Sequence, residues 1–223
     1  MTDASAAIGI FGGTFDPVHY GHLRAALEAL ESLKLRDFRL LPAGTPPHRA
    51  NTFASAEHRL AMLNLALSRY PELQVDDREV RRVGSSFMVD TLKEIRAEEG
   101  EAPILLMIGQ DAANVLDQWH EWEALFDLAH LVIMRRPESK HIYSGALFEQ
   151  VQPRLVSDPE QLRDSPAGLI LPLEVTQLAI SSTEIRRQIQ AGLSPRFLLP
   201  DPVIDYILEK GLYQQSRDQV QGT

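Results

Sequence analysis

Apolar residues gather along this chain in six short runs, at 8–11, 38–41, 73–75, 104–108, 131–134 and 169–171. The runs are nearly continuous, without the strict alternation of a sheet that has one face in water. Such strands are expected where both faces of a sheet are covered. Between the runs the apolar period changes. Residues 20–35 place Leu23, Leu27 and Leu30, with Lys34 extending the stripe, at spacings of three and four. Residues 56–70 repeat the pattern with Leu60, Leu63 and Leu67, and residues 88–99 with Val89, Leu92 and Ile95. This is the period of an amphipathic helix. Strands alternating with helices predict an α/β fold: a Rossmann-like parallel sheet with helices on both faces and a small helical C-terminal part.

Two stretches do not fit the alternation. Residues 137–166 have weak periodicity and contain Pro137, Pro153, Pro159 and Pro166. They read as a surface excursion with one short helix around Leu147. Residues 214–223 are polar and lack an apolar stripe, as expected of a frayed tail. No internal repeat is present. A chain of 223 residues makes one large α/β domain or two small ones, and residues 1–223 are expected to form a single domain with its core over about 7–213.

Composition narrows the chemistry. The chain has no cysteine, which removes disulfides, a thiolate nucleophile and thiolate metal ligands. Its formal net charge of −9 argues against a general nucleic-acid binder, which needs a basic footprint. No apolar stretch approaches the roughly 20 residues of a membrane span, and the first seven residues lack a signal-peptide pattern. A cytoplasmic protein without nucleic-acid or membrane partners is the expectation. Monomer and homodimer both stay open.

The first strand leads straight into Gly12-Gly13-Thr14-Phe15-Asp16-Pro17-Val18-His19-Tyr20-Gly21-His22 and then into the first helix. Two glycines after a strand let backbone approach a phosphate closely. His19 and His22, three apart, share a face if the helix has begun. A helix N-terminus favours anions. In parallel α/β sheets, ligands bind beyond the carboxyl ends of strands, where this turn lies. Two plainer readings stay open: a strand-to-helix turn capped by Asp16, and a metal site on His19 and His22 that lacks an obvious third ligand. A second motif is Ile180-Ser181-Ser182-Thr183-Glu184-Ile185-Arg186. Ser181 with Glu184 matches a capping box, and Arg186, one turn further, can reach an anion at that helix start.

In this order, the two motifs resemble those of the nucleotidyltransferases with an H-x-G-H signature after the first strand. Closer features lie between them: Thr45-Pro46-Pro47-His48-Arg49, Gly109-Gln110-Asp111, Trp119-His120-Glu121-Trp122 and the run from His130 to Pro137. With these the chain, from about residue 7 to 213, resembles the bacterial nicotinate-nucleotide adenylyltransferases. That resemblance implies transfer of AMP from ATP to nicotinate mononucleotide, giving nicotinate adenine dinucleotide and pyrophosphate. It implies that Gly12, Gly13, Thr14, Phe15, His19 and His22 contact ATP phosphates. Ser181, Ser182, Thr183 and Arg186 would hold the triphosphate from the other side. His19, His22 and Arg186 would carry the catalysis, with Mg²⁺ riding on the phosphates and no protein metal ligands.

For the pyridine nucleotide, the resemblance implies Asp111 on ribose hydroxyls and Trp119 stacked on the ring. His120, Phe87 and Met88 would lie beside it, with His48, Arg49 and Arg136 as candidates for its phosphate. Asp111 could instead be the N-cap of the next helix. Either tryptophan could be core, and Trp122 is expected there. One departure stands out. Where relatives carry Ser-Tyr-Thr, this chain has Ser86-Phe87-Met88, so the hydroxyl that helps bind the nicotinate carboxylate is absent. Phosphopantetheine adenylyltransferases share the fold but are shorter and do not match the Gly-Gln-Asp and Trp-x-x-Trp features. A binding module without chemistry and a tRNA-handling fragment are further alternatives, and neither accounts for the paired histidines in an acidic chain.

Overall fold

The computed structural model describes residues 7–44, 52–135, 143, 145–176 and 178–214. All six apolar runs form strands: β1 (Ile8–Gly13), β2 (Asp37–Pro42), β3 (Gln74–Val75), β4 (Ile104–Gly109), β5 (His130–Arg135) and β6 (Ile170–Glu174). They make one parallel sheet in the order β3-β2-β1-β4-β5-β6. The chain direction across the sheet reverses between β1 and β4, which is where such folds open a ligand crevice.

Strand alternation explains why the runs are continuously apolar. Phe11, Phe38, Leu40, Leu105, Met107, Val132 and Leu171 point to one face. Ile8, Ile10, Leu41, Ile104, Leu106, Ile108, Leu131 and Ile133 point to the other. The first face is covered by α1 (Tyr20–Leu33), α2 (Ala56–Leu67), α8 (Ser182–Gln190) and α9 (Asp201–Glu209). The second is covered by α4 (Met88–Glu99), α5 (Gln110–Ala113), α6 (Leu125–Leu128) and α7 (Gly145–Val151). A one-turn helix, α3 (Arg78–Arg81), links β3 to α4.

The buried faces of α1 and α2 differ from the expected leucine stripes. In α1 the buried residues are Ala25, Ala26, Ala29 and Leu33; Leu23 and Leu30 pack at its margin, and Lys34 is the exposed left-handed C-cap. Three of the four buried residues are alanines, whose small side chains permit close packing against the sheet. In α2 the inner face is Arg59, Met62, Leu63, Ala66 and Leu67, with Leu60 only partly covered. The helix stops at Leu67, and Tyr70 is exposed. In α4, Val89, Leu92 and Ile95 are fully buried, as the period predicts.

The excursion at 137–166 also departs from expectation. Its short helix does centre on Leu147, but Leu147, Val151 and Leu162 are buried in the two cores. This stretch covers sheet surface and does not merely ride over it. At the amino ends of the strands, Arg96 gathers the connections. Its guanidinium donates to the carbonyls of Gly100, Ala102, Leu128 and Pro166 at 2.7–2.8 Å.

Candidate active site

Gly12 and Gly13 are not in a turn. They are the last two residues of β1, paired with Leu41 and Pro42 of β2. The sharp bend comes later, at Phe15, which has φ 49°. The Asp16 cap reading also fails, because His19 is the N-cap of α1, in extended conformation. Its carbonyl accepts the N–H of His22 at 2.9 Å. The two imidazoles stack, with centroids 3.7 Å apart and planes at 22°. Gly21 permits this: a Cβ there would lie 3.0 Å from the His19 ring. Phe15 meets the His22 ring edge-on at 5.1 Å.

The Nδ1 atoms of His19 and His22 are buried and lack a hydrogen-bond partner among the described residues. Buried polar atoms are nearly always paired, so two neighbouring exceptions set this histidine pair apart from the rest of the core. Burial lowers the His19 pKa to about 4. It lowers His22 well below the usual value, and the adjacent His19 adds to this. Both rings are therefore neutral at pH 7. Among the described residues, no group of three or more His, Asp or Glu side chains could hold a metal ion.

The depressed values carry a stability consequence. An unfolded His19 takes up a proton near pH 6.5, and the folded one refuses it until about pH 4. The unfolded state thus binds more protons in that window, and stability falls as pH drops through it. At about 1.36 kcal/mol per pH unit, His19 accounts for about 3 kcal/mol of loss. Thermal melts at pH 7.5 and 5.0 should show a smaller acid penalty for a His19→Asn, His22→Asn variant than for the unmodified protein. An equal penalty would contradict the buried neutral pair.

The second motif packs against the first. Ser181 N-caps α8 and accepts the Glu184 N–H at 3.2 Å. The capping box is only half formed, because the Glu184 carboxylate turns to Arg187 and Gln188. Ser182 Oγ donates to the Pro17 carbonyl at 2.9 Å. Arg186 Nη1 donates to the Asp16 carbonyl at 2.6 Å, Nη2 donates to Thr183 Oγ1 at 3.2 Å, and the guanidinium lies 4.2 Å over the Phe53 ring. Thus Thr183, Arg186 and the start of α8 stand beside the paired histidines.

Beside them lies a pocket of about 530 Å³. Gly12, Gly13 and Thr14 form part of its lining, and so do Phe87, Met88, Trp119 and His120. His120 and Phe87 face one another with ring centroids 4.3 Å apart. Phe87 is the N-cap of α4, and no side chain caps this helix start. Asp111 is exposed, in the first turn of α5, and it does not line the pocket. Gly109, not Asp111, is the N-cap there. Trp122 is half-buried against Phe126 at the core margin, short of the core position expected. His48, Arg49 and Arg136 lie outside the described residues. Another concavity, about 590 Å³, lies at the opposite, amino-terminal end of the sheet around Phe126, Arg154 and Gly168, away from both motifs.

Three buried polar residues lie beneath the site; the sequence offers Asp16 only as a candidate cap, and sequence reasoning misses Arg59 and Glu79. Arg59 is fully buried and donates to the Thr14 carbonyl at 2.9 Å and the Gly44 carbonyl at 2.8 Å. Asp16 accepts the backbone N–H of Phe53 and Ala54. Glu79, also in the pocket lining, accepts from Thr91 Oγ1 at 2.8 Å, and burial raises its pKa. The one available signal was a charged residue on the inner face of α2, at Arg59.

A parallel sheet with phosphate-seeking groups at its switch point defines a nucleotide-binding α/β protein. The cytidylyltransferase-like family model matches residues 10–188. A Methylococcus capsulatus protein named "probable nicotinate-nucleotide adenylyltransferase" is 51% identical over 92% of this chain and 99% of its own length. A Marinobacter nauticus protein of the same name is 45% identical over 92% and 95%. The chain belongs to the nicotinate-nucleotide adenylyltransferase family, within the cytidylyltransferase-like proteins. The fold is also that of nicotinic acid mononucleotide adenylyltransferase from Plasmodium falciparum, solved in complex with NaAD. That structure superposes with a TM-score of 0.72 at 17% identity, over 93% of this chain and 97% of the other.

Proposed function

We propose that this protein transfers AMP from ATP to nicotinate mononucleotide, releasing pyrophosphate. One observation carries the reading. The stacked His19 and His22, with Arg186 held to the same loop at the Asp16 carbonyl, follow the end of β1, which also lines a pocket with Phe87, Trp119 and His120. One side suits a polyphosphate and the other a flat ring, so the acceptor phosphate and the α-phosphorus of ATP can meet at Gly12–Thr14. The 5′-phosphate attacks the α-phosphorus in line, and pyrophosphate leaves. The chain has no cysteine to serve as a covalent nucleophile. A phosphate monoester needs positioning and charge neutralisation more than a strong base.

His22 would donate to the α-phosphate region, and the approaching anion opposes the burial that keeps its ring neutral. Arg186, with two of its five donors committed to Asp16 and Thr183, would offer the others to the triphosphate. Mg²⁺ would arrive with ATP. Imidazole nitrogens are poor ligands for this oxygen-seeking ion, so the histidine pair suits phosphate oxygens better. The cytoplasm, where ATP is available, is the compartment we assign. ATP labelled at the α-phosphorus should pass its label to the dinucleotide and leave none on denatured protein. Labelled protein would contradict direct transfer.

Ring selectivity follows from the uncapped start of α4. Met88 occupies the first helical position, and a Cβ on Gly12 would lie 2.6 Å from its Cε, so its methyl lies against Gly12 in the pocket lining. Backbone N–H groups there, with others near His120, suit a carboxylate, which accepts at both oxygens. An amide must present NH₂ to one of these donors, at about 1–3 kcal/mol. We therefore expect nicotinate mononucleotide to exceed nicotinamide mononucleotide roughly 5–150-fold in kcat/KM. Met88→Thr should raise the ratio by adding a hydroxyl donor. Equal kcat/KM for acid and amide would refute the selectivity and leave adenylyl transfer standing.

A further inference from the structure

The family model ends at residue 188, yet the chain returns to the loop after β1 well beyond it. Tyr213 follows α9, in left-handed conformation with φ 61°, and is only 7% exposed. Its hydroxyl donates to Asp16 Oδ1 at 2.6 Å. Asp16 is itself 4% exposed. Its Oδ1 also accepts the Ala54 N–H at 3.2 Å, its Oδ2 accepts the Phe53 N–H at 2.8 Å, and its main-chain oxygen accepts from Arg186. The Phe53 ring, 64% exposed, lies under the Arg186 guanidinium. One buried carboxylate therefore fixes the turn that carries Phe53, and its own peptide carbonyl receives Arg186. Arg59 braces the same loop through the Thr14 carbonyl.

We propose that Tyr213, acting through Asp16 and Phe53, is a positioning residue that holds Arg186 and the end of β1 in register for the ATP phosphates. The proposal rests on the adenylyl-transfer reading of Arg186. The tyrosine is too enclosed to meet substrate itself. Its hydroxyl fixes which way the Asp16 carboxylate turns, and through it the Phe53 turn and the platform beneath the guanidinium. Burial, with Asp16 alongside, raises the phenol pKa, so the hydroxyl remains a donor at any working pH.

A hydroxyl that merely satisfied a buried carboxylate would, when lost, lower the melting temperature and disturb both substrates alike. A positioning hydroxyl disturbs ATP handling selectively. Tyr213→Phe keeps the ring and removes only the donor. We expect its kcat to fall about tenfold, within the roughly 10² that a 1 Å misplacement costs. The ATP KM and the Kd for MgATP by calorimetry should rise several-fold, with the KM for nicotinate mononucleotide unchanged. Phe53→Leu, at an exposed position that should not impair folding, should reproduce the ATP-selective change. Tyr213→Phe added to Arg186→Lys should cost less than the two single losses multiplied, because both act on one guanidinium.

A Tyr213→Phe variant with kcat and ATP KM within twofold of the unmodified protein would overturn the proposal. So would equal rises in both KM values with a lower melting temperature, or an unaffected Phe53→Leu. An unmodified protein that binds MgATP but makes no dinucleotide would overturn the adenylyl-transfer reading alone. The MgATP Kd of Tyr213→Phe then decides the positioning claim, which an unchanged value overturns.

Discussion

Replacing His22 with alanine is expected to lower kcat about 10²–10³-fold, the usual loss when one preorganised donor to developing charge is removed. The melting temperature should change little. The ring that is lost has an unpartnered buried Nδ1, so relief of that group offsets part of the packing lost against His19 and Phe15. The expected signature is an inactive protein that melts normally. Turnover within about threefold of normal, with a normal melt, would remove His22 from the reacting centre.

Arg186→Lys should be the next most damaging change. The guanidinium is held by three features at once: the Asp16 carbonyl, the Thr183 hydroxyl and the Phe53 ring. Lysine carries the charge but cannot fork between these groups and a phosphate. Charge-assisted hydrogen bonds contribute about 1.5–3 kcal/mol each, so one lost bond predicts roughly 10–150-fold in kcat/KM for ATP. The parameters for nicotinate mononucleotide should move far less. If Arg186→Ala left the ATP KM and turnover unchanged, the start of α8 would be only a capped helix.

The sheet was legible in the sequence because burial on both faces leaves continuous apolar runs, as at Ile104–Gly109. The motifs were legible because Gly, His, Ser and Arg are concentrated there into two short segments. What holds those segments together was not. Asp16 and Tyr213 are 197 positions apart, and no local pattern marks their contact. Arg59 sits in an apolar stripe where period alone predicts a leucine, yet it satisfies loop carbonyls. In α1 the leucine spacing marks one stripe, whereas the buried face is Ala25, Ala26, Ala29 and Leu33, because alanine carries little hydrophobic signal of its own. Asp111 follows a strand and invites a ribose or cap role, but it stands exposed one residue beyond the actual first position of α5.

The central claim is tested most directly by offering the unmodified protein ATP, Mg²⁺ and a panel of acceptor phosphates, and following pyrophosphate release with product identification. The panel holds nicotinate mononucleotide, nicotinamide mononucleotide, phosphopantetheine and no acceptor. We predict pyrophosphate and nicotinate adenine dinucleotide in equal amounts with the first, much slower release with the second, and none with the others. Release without an acceptor, faster transfer to phosphopantetheine, or no dinucleotide from nicotinate mononucleotide would contradict the account.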